Sequence, residues 1–193
     1  MNKFIKALQN PSKIGLFFLT KTCRLWSDKA YIKTYHRLIT GKKLDLENPQ
    51  TYSEKSQWMK LYYQRPELTT MVDKYEVKKY IADRIGEEYV VECYGVWDSF
   101  DEIDFEKLPD QFVLKCTKDS GSFVICKDKK SFDYEAARKK LEEGLKVNYY
   151  YLKREWAYKN VKPRILAEKY MDSLGKPNSI EYKITCMGGQ FKR

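Results

Sequence analysis

Two short apolar runs on either side of a small polar loop form the most regular pattern in the chain. The runs are residues 112–117 and 123–126, and the loop between them contains Asp119, Ser120, Gly121 and Ser122. Both runs are short, bounded by turn-forming residues and rich in β-branched and aromatic side chains, which favours strands over a helix. The pattern therefore predicts a β-hairpin.

Alternation along the first strand of this hairpin isolates one cation. A period of two places Val113, Lys115 and Thr117 on one face, opposite a face of apolar residues. Burying a lysine on such a strand costs desolvation free energy unless an anion pairs with it. The following loop supplies backbone N–H groups and hydroxyls, and Gly121 permits an anion to approach its backbone closely. The hairpin therefore predicts a phosphate clamp. An edge hairpin with a solvent-facing lysine remains the alternative.

The remaining pattern predicts helices and strands in alternation. Caps and apolar spacing predict helices over about 29–39, from Ser53 to about 63, over 68–85 and over 134–146. Further strands are expected at 89–94, 164–171 and 180–186. The last of these repeats the lysine-on-a-strand arrangement with Lys183, which is expected to line the same cleft as Lys115.

Composition adds a preference for anionic partners. The 193 residues carry a net charge of +10 and 15% aromatics, which suits a nucleotide, nucleic acid, an anionic polymer or an anionic membrane surface. Five cysteines without a C-x-x-C spacing predict buried free thiols in a reducing compartment. The motifs Gly-x-Gly-x-x-Gly, Walker A, His-Glu-x-x-His and Gly-x-Ser-x-Gly are absent, so Rossmann, P-loop, zincin and hydrolase functions have no support.

Two segments suggest contacts beyond a nucleotide. The N-terminal stretch mixes Lys3, Lys6 and Lys21 with Phe17 and Phe18, so a helix there would either lie on an anionic membrane surface or pack onto its own domain. Residues 148–160 interleave rings and cations, an arrangement that can stack on nucleic-acid bases or on sugars. Neither segment settles the partner by itself.

The order of these features resembles the nucleotide-binding half of an ATP-grasp enzyme, and more closely the TupA-like ATP-grasp family of polysaccharide-synthesis proteins, often labelled glycosyltransferases. The matching stretches run across nearly the whole chain: residues 27–31, 41–46, 48–55 with Trp58, 73–75, 94–97, 112–122, 154–156 and 163–170. Lys118 stands where a histidine is expected in the family's loop.

The resemblance implies a set of nucleotide contacts. It implies that Lys115 and Lys183 contact the phosphates of ATP and that the backbone of Ser120, Gly121 and Ser122 covers the triphosphate. Main-chain groups near the segment Glu168, Lys169 and Tyr170 would read adenine, with an acidic side chain available to the ribose. It further implies ATP-dependent activation of a carboxylate by phosphoryl transfer, followed by attack of an amine on the acyl phosphate, with Mg²⁺ neutralising charge.

The expected fold is α+β and ATP-grasp-like, with a helical N-terminal region (1–65), an α/β linker subdomain (66–108) and a partial antiparallel-sheet nucleotide-binding domain (109–193). The family's Mg²⁺ ligands would follow the second lysine strand, beyond Arg193, so the sequence predicts a C-terminally incomplete and inactive fragment with no metal ligands of its own. A cytoplasmic location, with contact at the inner membrane face, is expected. The acceptor would be a polysaccharide or an amino acid rather than nucleic acid. A basic module that binds nucleic acid or an anionic polymer and a direct glycosyltransferase remain the alternatives.

Overall fold

The structure, a computed structural model, describes residues 11–172, 182, 184–187 and 190–192. Within these residues the chain forms an α+β fold of seven α-helices, a four-stranded antiparallel sheet and a two-stranded hairpin. Helices dominate the N-terminal part and the antiparallel sheet follows, as the sequence predicts. Lys183, the second predicted phosphate contact, lies outside the described residues.

The helices and strands follow one another in this order. The helices are α1 (Pro11–Lys21), α2 (Asp28–Thr40), α3 (Tyr52–Tyr62), α4 (Glu67–Val72), α5 (Glu76–Ile85), α6 (Tyr134–Lys146) and α7 (Tyr149–Lys153). The main sheet contains β1 (Cys93–Trp97), β2 (Phe112–Cys116), β3 (Phe123–Cys126) and β4 (Ile165–Lys169). The hairpin near the C-terminus pairs β5 (Thr185–Met187) with β6 (Gln190–Lys192).

Helix ends follow local capping chemistry. The Ser27 hydroxyl accepts a hydrogen bond from the Ala30 amide at the start of α2, and Gly41 ends that helix with φ 73°. The predicted Ser53 cap of α3 is wrong. Thr51 caps this helix, because Glu54 three residues later completes a capping box with it.

The single helix predicted over 68–85 is also wrong, because the chain breaks at Asp73. Asp73 takes an extended conformation (φ −74°, ψ 116°), and its Oδ1 accepts hydrogen bonds from the amides of Tyr75 and Glu76. An aspartate that accepts these amide bonds stabilises the turn that leads into α5. Its other oxygen, Oδ2, lies 2.9 Å from Nη2 of Arg164, just before β4, so the break is tied to the sheet.

The main sheet has the strand order β1-β4-β2-β3, so β2 and β4 are interior strands. The predicted hairpin of β2 and β3 is confirmed, but its first strand is not at an edge: β3 is. The strand predicted at 89–94 begins only at Cys93, where pairing with β4 starts. Through β1, the segment 66–108 contributes a strand to the same sheet as residues 109–193.

The two faces of the sheet have different roles. One face packs against α6 and forms the main core, which includes Phe112, Leu114, Cys116, Leu141, Ile165 and Ala167. The opposite face of β2 carries Val113 and Lys115, both only partly buried. The alternation predicted for this strand is confirmed, because neighbouring residues point to opposite faces of the pleat.

A buried arginine connects the chain after α6 to the N-terminal helices. Arg154 is 2% exposed, and its Nη2 donates to the carbonyl oxygens of Cys23, at 2.6 Å, and Trp26, at 3.0 Å. Its Nε lies 2.8 Å from Oδ1 of Asp28, which also accepts a hydrogen bond from the hydroxyl of Tyr150. Two side chains of the basic and aromatic segment 148–160, those of Tyr150 and Arg154, therefore stabilise the fold.

Candidate functional site

Glu168 joins two lysines on the sheet face opposite the core. Its Oε2 lies 2.5 Å from Nζ of Lys115 on β2, and its Oε1 lies 2.6 Å from Nζ of Lys78 on α5. In the pairing of β2 with β4, Lys115 is opposite Leu166 and Glu168 is opposite Val113. Lys115 and Glu168 are thus diagonal neighbours on one face, within reach of long side chains.

Accessibility distinguishes the three charged groups. The side chains of Glu168 and Lys78 are 8% and 14% exposed, whereas that of Lys115 is 35% exposed. Nζ of Lys78 also donates to the carbonyl oxygen of Val91, at 2.6 Å. Lys115 is therefore the cation of this group that an incoming anion can reach, and Lys78 can keep Glu168 paired when it does so.

The charge state of Glu168 follows from these contacts. Burial by itself would raise the pKa of this carboxyl, but hydrogen bonds from Lys115 and Lys78 outweigh it and lower the pKa below its ordinary value of 4.5. Glu168 is accordingly ionised at neutral pH. The three groups together carry one net positive charge, which suits a phosphate.

Hydrogen bonds from neighbouring side chains hold the loop after β2 in one conformation. The Asp119 carboxylate accepts a hydrogen bond from the Ser122 amide at 3.0 Å, and Gly121 has φ 113°, a conformation that L side chains rarely adopt. Nζ of Lys74 donates to the carbonyl oxygens of Cys116, at 2.9 Å, and Asp119. Burial lowers the pKa of Lys74. This lysine therefore holds both ends of the loop's first turn.

Neighbouring elements support the loop from two sides. The Tyr149 hydroxyl donates to the carbonyl oxygen of Ser120 at 3.2 Å. On α6, a Cβ at Gly144 would lie 2.4 Å from Cβ of Ser122 and 2.9 Å from Sγ of Cys116, so the absence of a side chain lets the helix approach the loop. Lys118 is 7% exposed within the same turn, and burial lowers its pKa.

These contacts leave two loop amides for a ligand. The Ser122 N–H is taken by Asp119, whereas the N–H groups of Ser120 and Gly121 donate to no acceptor in the described part of the chain. Ser120 and Gly121 are both exposed. Successive backbone N–H groups in an exposed turn without internal acceptors can bind an anion. The loop therefore fits a phosphate group through Ser120 and Gly121 more directly than through Ser122.

The other predicted nucleotide contacts have separate surroundings. Lys169 is exposed, with its Nζ 3.5 Å from Oε2 of Glu92, and strand alternation places its side chain on the face opposite Glu168. Tyr170 follows the end of β4, and its ring centroid lies 5.8 Å from Nζ of Lys127. Along β2, Lys115 lies between Glu168, which is opposite Val113 toward the start of the strand, and the loop, which follows the end of the strand. The roles of Lys169 and Tyr170 in reading adenine stay predictions.

Sequence reasoning missed Lys74 and Lys78. Their spacing of four residues was the available signal, but the same spacing describes any solvated helix face. In the structure Lys74 precedes α5, because the chain breaks at Asp73, and Lys78 lies in the first turn of the helix. Both ammonium groups point to the sheet and its loop rather than to solvent.

The comparison with protein families agrees with this geometry. A model of the family described as TupA-like ATPgrasp matches residues 54–192, which include the sheet, the loop and both missed lysines. A lysine on an interior strand, a small Ser-Gly-Ser loop and an acidic residue on the paired strand thus occur in a protein of the ATP-grasp class. The chain belongs to the TupA-like ATP-grasp family. No curated protein and no solved structure matches the chain significantly.

Proposed function

We propose that the chain binds ATP at the end of β2 and serves in ATP-dependent ligation of a carboxylate to an amine during synthesis of a cell-surface polysaccharide. The observation that carries the proposal is the partly exposed Lys115 on the strand that leads into a loop whose Ser120 and Gly121 N–H groups have no acceptor among the described residues. Membership of the ATP-grasp family supports the nucleotide. The acceptor, a polysaccharide or an amino acid, and the cytoplasmic location belong to the proposal.

The residues of the site divide the work of holding a triphosphate. Lys115 exchanges its bond to Glu168 for a phosphate oxygen, and the amides of Ser120 and Gly121 donate to the same or the next phosphate. Lys78 retains Glu168, so no carboxylate is left without a cation. Because a carboxylate oxygen accepts more than one hydrogen bond, Glu168 can also accept one from a ribose hydroxyl.

Phosphoryl transfer from ATP to a carboxylate gives an acyl phosphate and ADP, and attack of an amine on the acyl carbon then releases phosphate. The protein contributes position and positive charge to these steps. Mg²⁺ would supply further charge neutralisation when bound. Within the described residues no group of three or more His, Cys, Asp or Glu side chains could hold a metal ion. The described residues therefore offer no such cluster for Mg²⁺.

Calorimetric titration with Mg-ATP at up to millimolar concentration tests the nucleotide site. We expect saturable heat from the wild type and a loss of affinity of about 10- to 100-fold in Lys115→Met, since a hydrogen bond to a charged group contributes about 1.5–3 kcal/mol. Lys139→Met removes an exposed cation from α6 and serves as the matched control, which should bind like the wild type.

Two results would count against the proposal. Absence of heat from the folded wild type, or equal affinity of Lys115→Met and wild type, removes the nucleotide site. RNA binding that falls steeply with salt and ignores ATP would instead select the basic-module alternative. The internal contacts of Arg154 and Tyr150 make that alternative weaker, because both side chains are committed to Asp28.

A further inference from the structure

A second surface, far along the chain from the nucleotide loop, exposes large apolar side chains. Phe17 and Phe18 on α1 are 56% and 61% exposed, and Leu25 and Trp26 just after it are 84% and 39% exposed. Single exposed apolar residues are ordinary, but four within ten residues are not. We call these four residues, together with Lys21 and Arg24, the N-terminal face.

The opposite side of the same segment is packed, so the N-terminal face cannot turn inward. Leu19 and Cys23 are buried in a cluster with Tyr31 of α2. A Cβ at Gly15 would lie 2.8 Å from Cδ2 of Leu38, which shows how closely α1 approaches α2. The sequence left packing on the domain and contact with a surface as alternatives. The structure gives the segment one buried side and one exposed side.

Two rings of the N-terminal face lie next to one another, and the indole is hydrogen-bonded back to α1. The ring centroids of Phe17 and Phe18 are 5.7 Å apart. Nε1 of Trp26 donates to the Thr22 hydroxyl at 3.0 Å, and that hydroxyl donates to the Phe18 carbonyl oxygen at 2.8 Å. This chain of hydrogen bonds fixes the partly exposed indole against the end of α1.

Cations accompany the rings, and acidic residues are absent from this part of the sequence. Nζ of Lys21 lies 5.7 Å from the ring centroid of Phe17, and the Arg24 guanidinium lies 4.4 Å from that of Tyr151. Both cations are exposed. The first acidic residue of the chain is Asp28. A partly apolar segment whose charged residues up to Trp26 are all cations is complementary to anionic headgroups above hydrocarbon.

We propose that the N-terminal face binds the surface of an anionic lipid bilayer, with the rings at the level of the headgroups and Lys21 and Arg24 on lipid phosphates. No described helix is long and apolar enough to cross a membrane, so this contact is peripheral. A second copy of the chain would bring the same cations together, which disfavours self-association through this face. The proposal does not depend on the nucleotide site.

Co-sedimentation with vesicles tests it on the full chain. We expect binding to vesicles of phosphatidylcholine mixed with phosphatidylglycerol, weak binding to phosphatidylcholine alone, and release as salt rises. Lys21→Glu with Arg24→Glu should lower partitioning at least about ten-fold. Phe17→Ser with Phe18→Ser should lower it about a hundred-fold, because the apolar side chains no longer enter the interface.

Matched variants separate a specific face from general charge. Lys139→Glu on α6 and Ile85→Ser at the end of α5 change an exposed cation and an exposed apolar residue elsewhere, and both should bind vesicles like the wild type. If the two control variants lose vesicle binding as strongly as the variants of the N-terminal face, the proposal is overturned. Full vesicle binding by the Phe17 and Phe18 double variant would also overturn it. So would a dimer in light scattering that dissociates in that double variant, since a second copy would then cover the face.

Discussion

Replacing Glu168 by Gln removes the one negative charge that holds Lys78 and Lys115 together. The substitution keeps the size of the side chain, so packing on β4 should not change. It leaves two ammonium groups, each within 2.6 Å of a carboxylate oxygen in the wild type, without their shared counterion. The expected result is a less stable protein at neutral pH.

The magnitude follows from burial. Removing one partner of a fully buried ion pair costs about 3–5 kcal/mol. Lys115 is 35% exposed and can turn toward water, which recovers part of this cost, whereas Lys78 at 14% cannot do so as easily. We therefore expect Glu168→Gln to lower the free energy of unfolding by about 2–3 kcal/mol. Urea unfolding followed by circular dichroism measures it.

The same variant predicts a pH dependence. The pKa of Glu168 lies below its ordinary value of 4.5 in the folded protein, so the ion pairs stabilise the fold fully above that pH. The contribution is lost as pH falls through the lowered pKa, because the carboxyl must then be protonated in both states. The stability difference between wild type and Glu168→Gln should therefore shrink in acid.

Glu92→Gln is the matched control. Glu92 pairs with Lys169 at 3.5 Å, and both side chains are 59% exposed, so we expect a change of about 0–0.5 kcal/mol. Equal stability of wild type and Glu168→Gln at neutral pH would refute the reasoning, as would a difference that stays constant into acid while both proteins remain folded.

Two further predictions concern the fold and the loop. Arg154→Met should lower the free energy of unfolding by about 3–5 kcal/mol in urea, because Asp28 and the carbonyl oxygens of Cys23 and Trp26 lose a buried cation. The exposed pair of Arg65 with Glu67 supplies the control Arg65→Met, and similar midpoints for the two variants would contradict the prediction. Gly121→Ala should lower the free energy of unfolding by about 1–3 kcal/mol. Backbone strain alone causes this loss, because φ is 113° and no atom lies within 4 Å of the new Cβ. The same variant should also bind Mg-ATP more weakly in calorimetry. Gly41→Ala, at φ 73° in the C-cap of α2, should be destabilising with unchanged nucleotide affinity, and a parallel loss of affinity there would show that the loop has no special role.

Local chemistry explains what could be predicted without coordinates. The hairpin of β2 and β3, helix α6 and the ends of α2 follow from alternation, capping residues and glycine, all of which act within a few residues of chain. The face of Lys115 followed from a period of two. Residue motifs also indicated the family that the match over 54–192 shows.

Tertiary contacts decided the composition of the candidate site. In the sequence, Asp73 could continue a helix or end one. Its ion pair with Arg164 beside β4 favours the break, and the break places the Lys74 ammonium group on the loop. Whether Lys115 was on an edge or an interior strand depended on β4, which pairs with β2 from about fifty residues further along the chain. The pairing of Lys78 with Glu168 likewise joins groups distant in sequence. The alternation of apolar residues and the capping residues carry no information about such partners. The free-energy cost of burying a charged side chain depends on the opposite charge that the tertiary fold brings beside it.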